Sequence, residues 1–231
     1  MSDTVEMPRR RRAWMSWSSG KDSTLALHAA LGDDDIEVVG LLTTMNASAD
    51  RVAMHAVRRT LLECQADRLG LPLHLIQLPE HCTNEVYEEK MTHAIHAALE
   101  DGVELLVFGD LFLEDVRRYR EVQLEGTGIT PLFPLWRIPT DVLARTLIAD
   151  GVRAVITCVD PTQLSPTFVG RPFDAALLEE LPAHVDPCGE RGEFHTFVYD
   201  APDFSSTIDV VTGDIVTRDG FTFCDVVPVL A

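Results

Sequence analysis

Ala13-Trp14-Met15-Ser16-Trp17, followed at once by Ser18-Ser19-Gly20-Lys21-Asp22-Ser23, is the stretch that decides the fold. Its first five residues read as a short apolar strand. Its last six read as a turn that opens a helix over Asp22–Leu31, where Leu25, Leu27, Ala29 and Ala30 form a broad apolar surface. A turn between a strand and a helix N-terminus presents unpaired backbone N–H groups and the positive end of the helix dipole, so it is an anion site. Gly20 lets the backbone approach an anion closely, and Ser18, Ser19 and Ser23 add hydroxyl donors. Lys21 adds a full positive charge, and Asp22 can hold a magnesium ion directly or through water. As a solvated loop residue, Lys21 is expected to contribute little to stability.

Outward from this loop, strands and helices alternate. Ile36–Thr44 is a nearly continuous apolar run, as expected of a strand covered on both faces. Arg51–Leu69 reads as a helix through Ala53, Val57, Leu61 and Cys64, stopped by Gly70. Leu73–Leu78 reads as a strand, Thr83–Leu99 as a helix and Glu104–Gly109 as a strand. This order implies α/β architecture with a parallel sheet, which binds ligands outside the carboxyl ends of its strands. From about residue 126 the pattern changes. Gly126–Trp136 mixes glycine, proline and aromatic residues, a helix is expected over Asp141–Ala149 and a strand over Ala154–Val159. Short strands then follow at Phe194–Tyr199, Thr207–Val211, Asp214–Thr217 and Phe221–Val227, with hairpin signals at Thr212–Asp214 and Asp219–Gly220. The organisation expected is a disordered basic tail over residues 1–12, a nucleotide-binding domain over 13–125 and a smaller mixed α+β substrate domain over 126–231.

Composition narrows the function. The net charge of −18 excludes a broad nucleic-acid-binding surface, though not a small anion in a local pocket. No apolar run is long enough for a membrane span, and Ala13–Ser19 is too short and polar for a signal-peptide core. The five cysteines are scattered, with no zinc or Cys-x-x-Cys spacing, which fits free thiols in a cytoplasmic protein. The chain has two lysines against seventeen arginines, so a lysine inside the loop stands out.

Two well-known phosphate loops do not fit. The Walker loop requires glycine where Met15 stands and Ser or Thr where Asp22 stands, and no Gly-x-Gly-x-x-Gly is present. The segment resembles instead the Ser-x-Gly-x-Asp-Ser loop of PP-loop ATP pyrophosphatases, which hold the β- and γ-phosphates of ATP as a pyrophosphate leaving group. A serine-rich helix cap is the plain alternative.

Three further clusters stand at the ends of predicted strands. Thr43-Thr44 would face an adenosine, or simply end a strand. Gly109-Asp110-Leu111 leads into Glu114-Asp115-Val116-Arg117-Arg118-Tyr119-Arg120-Glu121. Its arginines can hold phosphate or carboxylate in bidentate fashion, or form a solvated helix face with pairs such as Arg117–Glu121. Cys188-Gly189-Glu190-Arg191-Gly192-Glu193-Phe194-His195-Thr196 offers Glu190 and Glu193 for an amine or metal and His195 as acid or base, or a structural strand histidine.

Together, Ser18–Ser23, Met54–His55, Gly109–Glu121, Pro131–Trp136 and Gly189–Thr196 leading to Val198–Phe204 resemble the diphthine–ammonia ligase (diphthamide synthetase) family of PP-loop ATPases. The resemblance spans about residues 13 to 204 and implies an adenine nucleotide α-hydrolase-like domain completed by a C-terminal domain. It also implies the reaction. A carboxylate attacks the α-phosphate of ATP, pyrophosphate leaves, and ammonia displaces AMP to give an amide; in the family the carboxylate is that of diphthine on an elongation factor. By position, Ser18, Gly20, Lys21, Asp22 and Ser23 would grip the phosphates. Gly109, Asp110, Arg117 and Glu121 would line the opposite side, and Glu190, Glu193 and His195 would come from the second domain. Lys21, Asp22, Arg117, Glu190, Glu193 and His195 are the catalytic candidates, with ATP and Mg2+ as ligands and Asp22 on the metal. The chain departs from the family at Ser19, where glycine is expected, and at Phe112–Val116, which replaces a Ser-x-Tyr-Gln stretch. The second departure falls on the substrate side and leaves the carboxylate acceptor open. Two other readings are carried: a nucleotide-binding sensor without turnover, which would not need the Glu190–His195 cluster, and a tRNA-modifying enzyme, which the charge disfavours. The oligomeric state is open, with a homodimer as one option.

Overall fold

In the computed structural model, which describes residues 9–52 and 54–229, the first half forms one sheet around the decisive stretch. The elements are β1 (Arg11–Ser16), α1 (Lys21–Leu31), β2 (Ile36–Asn46), β3 (Arg51–Val52), α2 (Arg59–Leu69), β4 (Leu73–Leu78), α3 (Asn84–Glu100), β5 (Leu105–Val107), α4 (Glu114–Leu124) and β6 (Thr130–Leu132). Strands β4, β2, β1, β5 and β6 lie side by side in that order, all parallel. The short β3 pairs antiparallel with the far end of β2. Ala13, Trp14 and Met15 are fully buried because β1 is central and covered on both faces. Chain order reverses at β1, with β2 on one side and β5 on the other, which opens a crevice at the carboxyl ends of β1 and β5.

The second half contains α5 (Thr140–Ala149), β7 (Arg153–Val159), α6 (Ala175–Glu180), β8 (Phe194–Asp200), β9 (Val210–Arg218) and β10 (Phe221–Pro228). Its strands form an antiparallel sheet in the order β8-β7-β10-β9. The edge strand β8 faces the turn after β1: Val198 N–H donates to the Ser19 carbonyl at 3.0 Å. One apolar cluster runs from Ala13, Met15 and Leu27 to Ile156, Phe194 and Phe197, so the two sheets share a core. Burial of each such large side chain contributes roughly 1.5–3 kcal/mol, which makes the seam a fixed part of the structure.

Five sequence expectations are corrected. Residues 1–8 of the expected tail lie outside the described residues, but Arg11 and Arg12 belong to β1, because Arg11 N–H bonds Asp35 O at 2.7 Å and Arg12 O accepts from Glu104 N–H at 2.8 Å. The helix expected from Arg51 begins at Arg59, since Arg51–Val52 pairs with β2 and Met54 and Ala56 take left-handed φ values of 60° and 55°. Strand β6, inside the glycine- and proline-rich stretch, joins the first sheet, so the change of sheet comes after Leu132 and not near residue 125. The short helix α6 was not expected; Asp174 caps it by accepting from Leu177 N–H at 2.8 Å. Thr212–Asp214 is no hairpin turn: Gly213 lies within the continuous β9, opposite a register shift in β10. The turn is at Asp219–Gly220, whose φ values of 52° and 85° suit a two-residue hairpin.

Candidate active site

Helix α1 starts directly after β1, and the connecting residues are pinned from both halves of the chain. Gly20 precedes the helix in extended conformation (φ −95°, ψ 175°). A side chain there would meet the His55 ring at 2.7 Å and the Thr196 carbonyl at 3.2 Å, so only glycine fits. The Ser18 hydroxyl donates to Ser23 Oγ at 3.0 Å, and Ser23 Oγ donates to the Gly20 carbonyl at 2.9 Å. Lys21 N–H donates to Thr196 Oγ1 at 3.1 Å, which ties the loop to β8. Ser19 has φ 68°, a left-handed conformation that favours glycine, and its buried hydroxyl has no partner among the described residues.

Lys21 is not solvated, contrary to expectation. It is 2% exposed, its Nζ lies 2.8 Å from Asp22 Oδ2 and donates to the Cys188 carbonyl, and the Phe194 ring lies 5.3 Å away. Burial alone would lower its pKa; the negative charges of Asp22 and Glu190 and the Cys188 side chain outweigh this and keep the ammonium charged. Asp22 is raised above the usual carboxylate range by burial, an effect that Lys21 only partly offsets.

The carboxyl end of β5 forms the opposite wall. Gly109 packs so tightly on the start of α1 that a Cβ there would lie 2.9 Å from the Asp22 backbone. Asp110 follows, its carboxylate 3.9 Å from Arg120 Nε and its pKa raised by burial and by Asp22. The Arg120 guanidinium lies over the Phe108 ring at 5.1 Å, and its buried Nε has no hydrogen-bond partner among the described residues. Glu190 closes the wall from the second half and accepts from Leu111 N–H at 2.8 Å. Burial, reinforced by Asp22 and Asp110, pushes its pKa up to about 7. His195 stands 4.7 Å from His55, ring centre to ring centre, and burial, with His55 and the Lys21 ammonium nearby, holds its pKa well below the ordinary value.

These groups line one cleft of about 370 Å³. Ser18, Lys21, Asp22, Ser23, Thr44, Gly109, Asp110, Glu190 and His195 all border it. Six expected residues do not border it: Ser19 and Gly20, which pack against Gln65, Val198, His55 and Thr196 instead, and four more. The Thr43 hydroxyl is buried and donates to the Trp17 carbonyl at 2.7 Å. Glu121 pairs with Arg117 at 2.7 Å, and Arg117 lies over Phe133 and Trp136 outside the cleft, because α4 turns Arg120 inward instead. Glu193, 1% exposed, accepts from the N–H groups of Asp186 and Arg191, each at 2.9 Å, and so folds its own loop.

Three contributors escaped the sequence reading. Buried Gln65 accepts from Trp17 Nε1 at 2.9 Å and donates to the Ser19 and Val198 carbonyls, which locks the loop to both sheets. Its only sequence signal is a polar residue on the apolar face of α2, beside Leu61, Leu62 and Ala66. The sequence marks His55 only through the family resemblance, and Arg120 only as one of three arginines. The rest of the cleft is apolar, through Leu42, Ile76, Tyr87, Met91 and Phe108, and suits a flat aromatic ring.

The chemistry on offer is local. A buried cation and a helix N-terminus favour phosphate, and a partly protonated carboxyl with two neutral imidazoles can accept protons. Among the described residues, no group of three His, Cys, Asp or Glu side chains could hold a metal ion by itself. Asp22 and Asp110 share the cleft, and the Asp22 charge raises the proton affinity of Asp110, which fits a cation held by one or two carboxylates and otherwise by phosphate oxygens and water.

Comparison with known proteins agrees along both halves. The model of the diphthamide synthase N-terminal domain matches residues 11–130, and that of the diphthamide synthase C-terminal domain matches residues 139–227. A diphthine–ammonia ligase of Bos taurus is 27% identical over 236 residues, covering 90% of this chain and 86% of its own. The Homo sapiens diphthine–ammonia ligase is 27% identical over 186 residues, 77% of this chain and 66% of its own. That of Danio rerio is 24% identical over 232 residues, 90% of each. Among solved structures, the U34-tRNA thiolase NcsA from Methanococcus maripaludis aligns over 61% of this chain and 57% of its own at 17% identity and a TM-score of 0.38.

Proposed function

The chain belongs to the diphthamide synthase family, and we propose that, as an ATP-dependent ligase, it cuts ATP into AMP and pyrophosphate to turn a carboxylate into an amide. The observation that carries this reading is the meeting of Lys21, at the N-terminus of α1, with Glu190, from the second half, in one cleft. The Ser18 and Ser23 hydroxyls, the N–H groups at the start of α1 and the Lys21 ammonium bind the β- and γ-phosphates. The adenine ring lies in the apolar part of the cleft near Leu42, Ile76 and Phe108.

The acceptor carboxylate oxygen bonds to the α-phosphorus while the bond to the bridging oxygen breaks, and the electron pair leaves with pyrophosphate. Lys21 stabilises the charge that develops there, in a position that requires no reorganisation. Magnesium adds charge neutralisation on the phosphates when bound, and Asp22 with Asp110 would hold it. Ammonia then attacks the acyl carbon, AMP leaves carrying one carboxylate oxygen, and Glu190 takes the proton that nitrogen loses. With a pKa of about 7, Glu190 is matched to that task near neutrality. His195, buried and neutral, can accept a hydrogen bond from the attacking amine. Arg120 replaces Arg117 as the arginine facing substrate, and Glu193 acts only by shaping the Glu190 loop.

Diphthine on an elongation factor is the first acceptor to try, because the curated relatives are named for it. The five free cysteines support a reducing compartment such as the cytoplasm. Among the described residues, no helix is long and apolar enough to cross a membrane. Phosphorus NMR of a reaction with ATP, magnesium, ammonium and a diphthine-bearing factor tests the proposal: AMP and pyrophosphate in equal amounts support it, and ADP with phosphate refutes it.

A further inference from the structure

Val52 and Met54 line the cleft beside His55, and the segment that carries them is fastened to the second sheet. Asp225 on β10 accepts from Arg51 Nη1 at 2.9 Å and from Arg58 Nε at 3.1 Å, and Arg58 Nη2 bonds its other oxygen. Arg51 Nη1 also donates to the Ala56 carbonyl at 2.7 Å. Within this clasp Met54 and Ala56 hold left-handed φ values of 60° and 55° on either side of His55. Such a conformation is unfavourable in a residue with a side chain and persists only where the surroundings impose it.

The strained turn delivers His55 to the phosphate loop. Its Nδ1 lies 3.0 Å from the Thr196 carbonyl, which can only accept, so the proton sits on Nδ1 and Nε2 keeps its lone pair. The ring edge fills the space a Gly20 Cβ would occupy. Burial, reinforced by Lys21, holds the ring neutral, with its pKa lowered to about 4. Burial also opposes the charge on Asp225, but Arg58 and Arg51 outweigh it and keep the carboxylate ionised.

We propose that Asp225 is a positioning residue for the nucleotide site: clasped by Arg51 and Arg58, it presses His55 onto Gly20 and so sets the phosphate loop. This inference rests on Ser18–Ser23 being the ATP site. It assigns a role to a residue more than 200 positions away in sequence, on a strand that does not border the cleft.

The test is a double-mutant cycle read by ATP binding, which needs no acceptor. Titration calorimetry with ATP and magnesium would compare the wild type, D225N, H55A, the double variant and D225E, with urea unfolding of each. D225N and H55A should each raise the Kd for ATP about tenfold, and the double variant should be no weaker than either single one. D225E should restore most of the affinity, and imidazole NMR should show His55 in D225N titrating closer to the ordinary histidine range. Wild-type affinity in D225N, additive losses in the double variant, or a loss of stability without a loss of affinity would each overturn the proposal. A wild-type protein that binds ATP separates this failure from that of the site itself; one that binds none removes both.

Discussion

The loops at Ser18–Ser23 and Gly189–His195 border the same cleft by different routes. The first works through backbone geometry that follows from its place between a strand and a helix, so that Ser18, Lys21, Asp22 and Ser23 reach the cleft together. The second is a folded loop whose two carboxylates part company. Glu190 faces the cleft, while Glu193 turns inward onto the N–H groups of Asp186 and Arg191. Residue type and spacing are enough to locate a helix N-terminus such as the one at Lys21 and Asp22. A site built on an irregular loop depends on which carboxylate the loop uses to close itself.

Lys21 offers the sharpest way to break the first half of that contrast. K21A should lower turnover about 10²–10³-fold, measured as pyrophosphate release. It should also lower stability by roughly 1–3 kcal/mol in urea unfolding, because Asp22 loses its partner and the Cys188 carbonyl its donor. A K21A protein with wild-type rates removes the loop from the mechanism.

The two carboxylates of the second loop should then separate cleanly. E190Q should reduce the rate of amide formation about 10²-fold or more. Wild-type activity should rise as pH passes upward through about 7, where Glu190 loses its proton, and E190Q should lack that limb. The sign for stability is opposite. The folded state keeps the Glu190 proton where the unfolded chain has lost it, so stability falls as pH rises from the usual carboxylate range to about 7, and E190Q removes this slope. E193Q should lower stability by about 1–3 kcal/mol with kcat of the folded fraction kept within severalfold. Equal rate losses in the two variants would erase the distinction.

The arginines of α4 sharpen it further. R120A should weaken ATP turnover about tenfold, while R117A stays within threefold, since only Arg120 borders the cleft. The smallest effect is expected at the loop itself. S19G should stabilise the protein by about 1 kcal/mol, by relieving a left-handed serine and deleting a buried hydroxyl without a partner, and calorimetric Tm would show it.

Much of the first sheet was legible because its strands are apolar on both faces and its helices carry regular periodicity. Strand β6 was not, since three residues among glycines and prolines show no period of their own and take strand form only by pairing with β5. The helix start at Arg59 was hidden because Ala53 and Val57 continue the apolar spacing of α2, while the pairing of Arg51–Val52 with β2 is a tertiary contact. At the site, Lys21, Asp22, Asp110, Glu190 and His195 could be named from motif and position. Choosing Arg120 over Arg117 needed the rotation of α4 about its axis, which Phe108, Phe133 and Trp136 decide. Gln65 and Asp225 act through partners distant in sequence, and no local pattern marks them.

If a carboxylate attacks the α-phosphate in the cleft between the sheets, one of its oxygens must leave with AMP, and oxygen-18 transfer shows whether it does. An acceptor protein carrying a diphthine carboxylate labelled with oxygen-18 would be incubated with ATP, magnesium and ammonium, and the AMP released analysed by mass spectrometry. One labelled oxygen is expected in each AMP formed together with amide. Amide formation with unlabelled AMP, or with ADP as the nucleotide product, would contradict it.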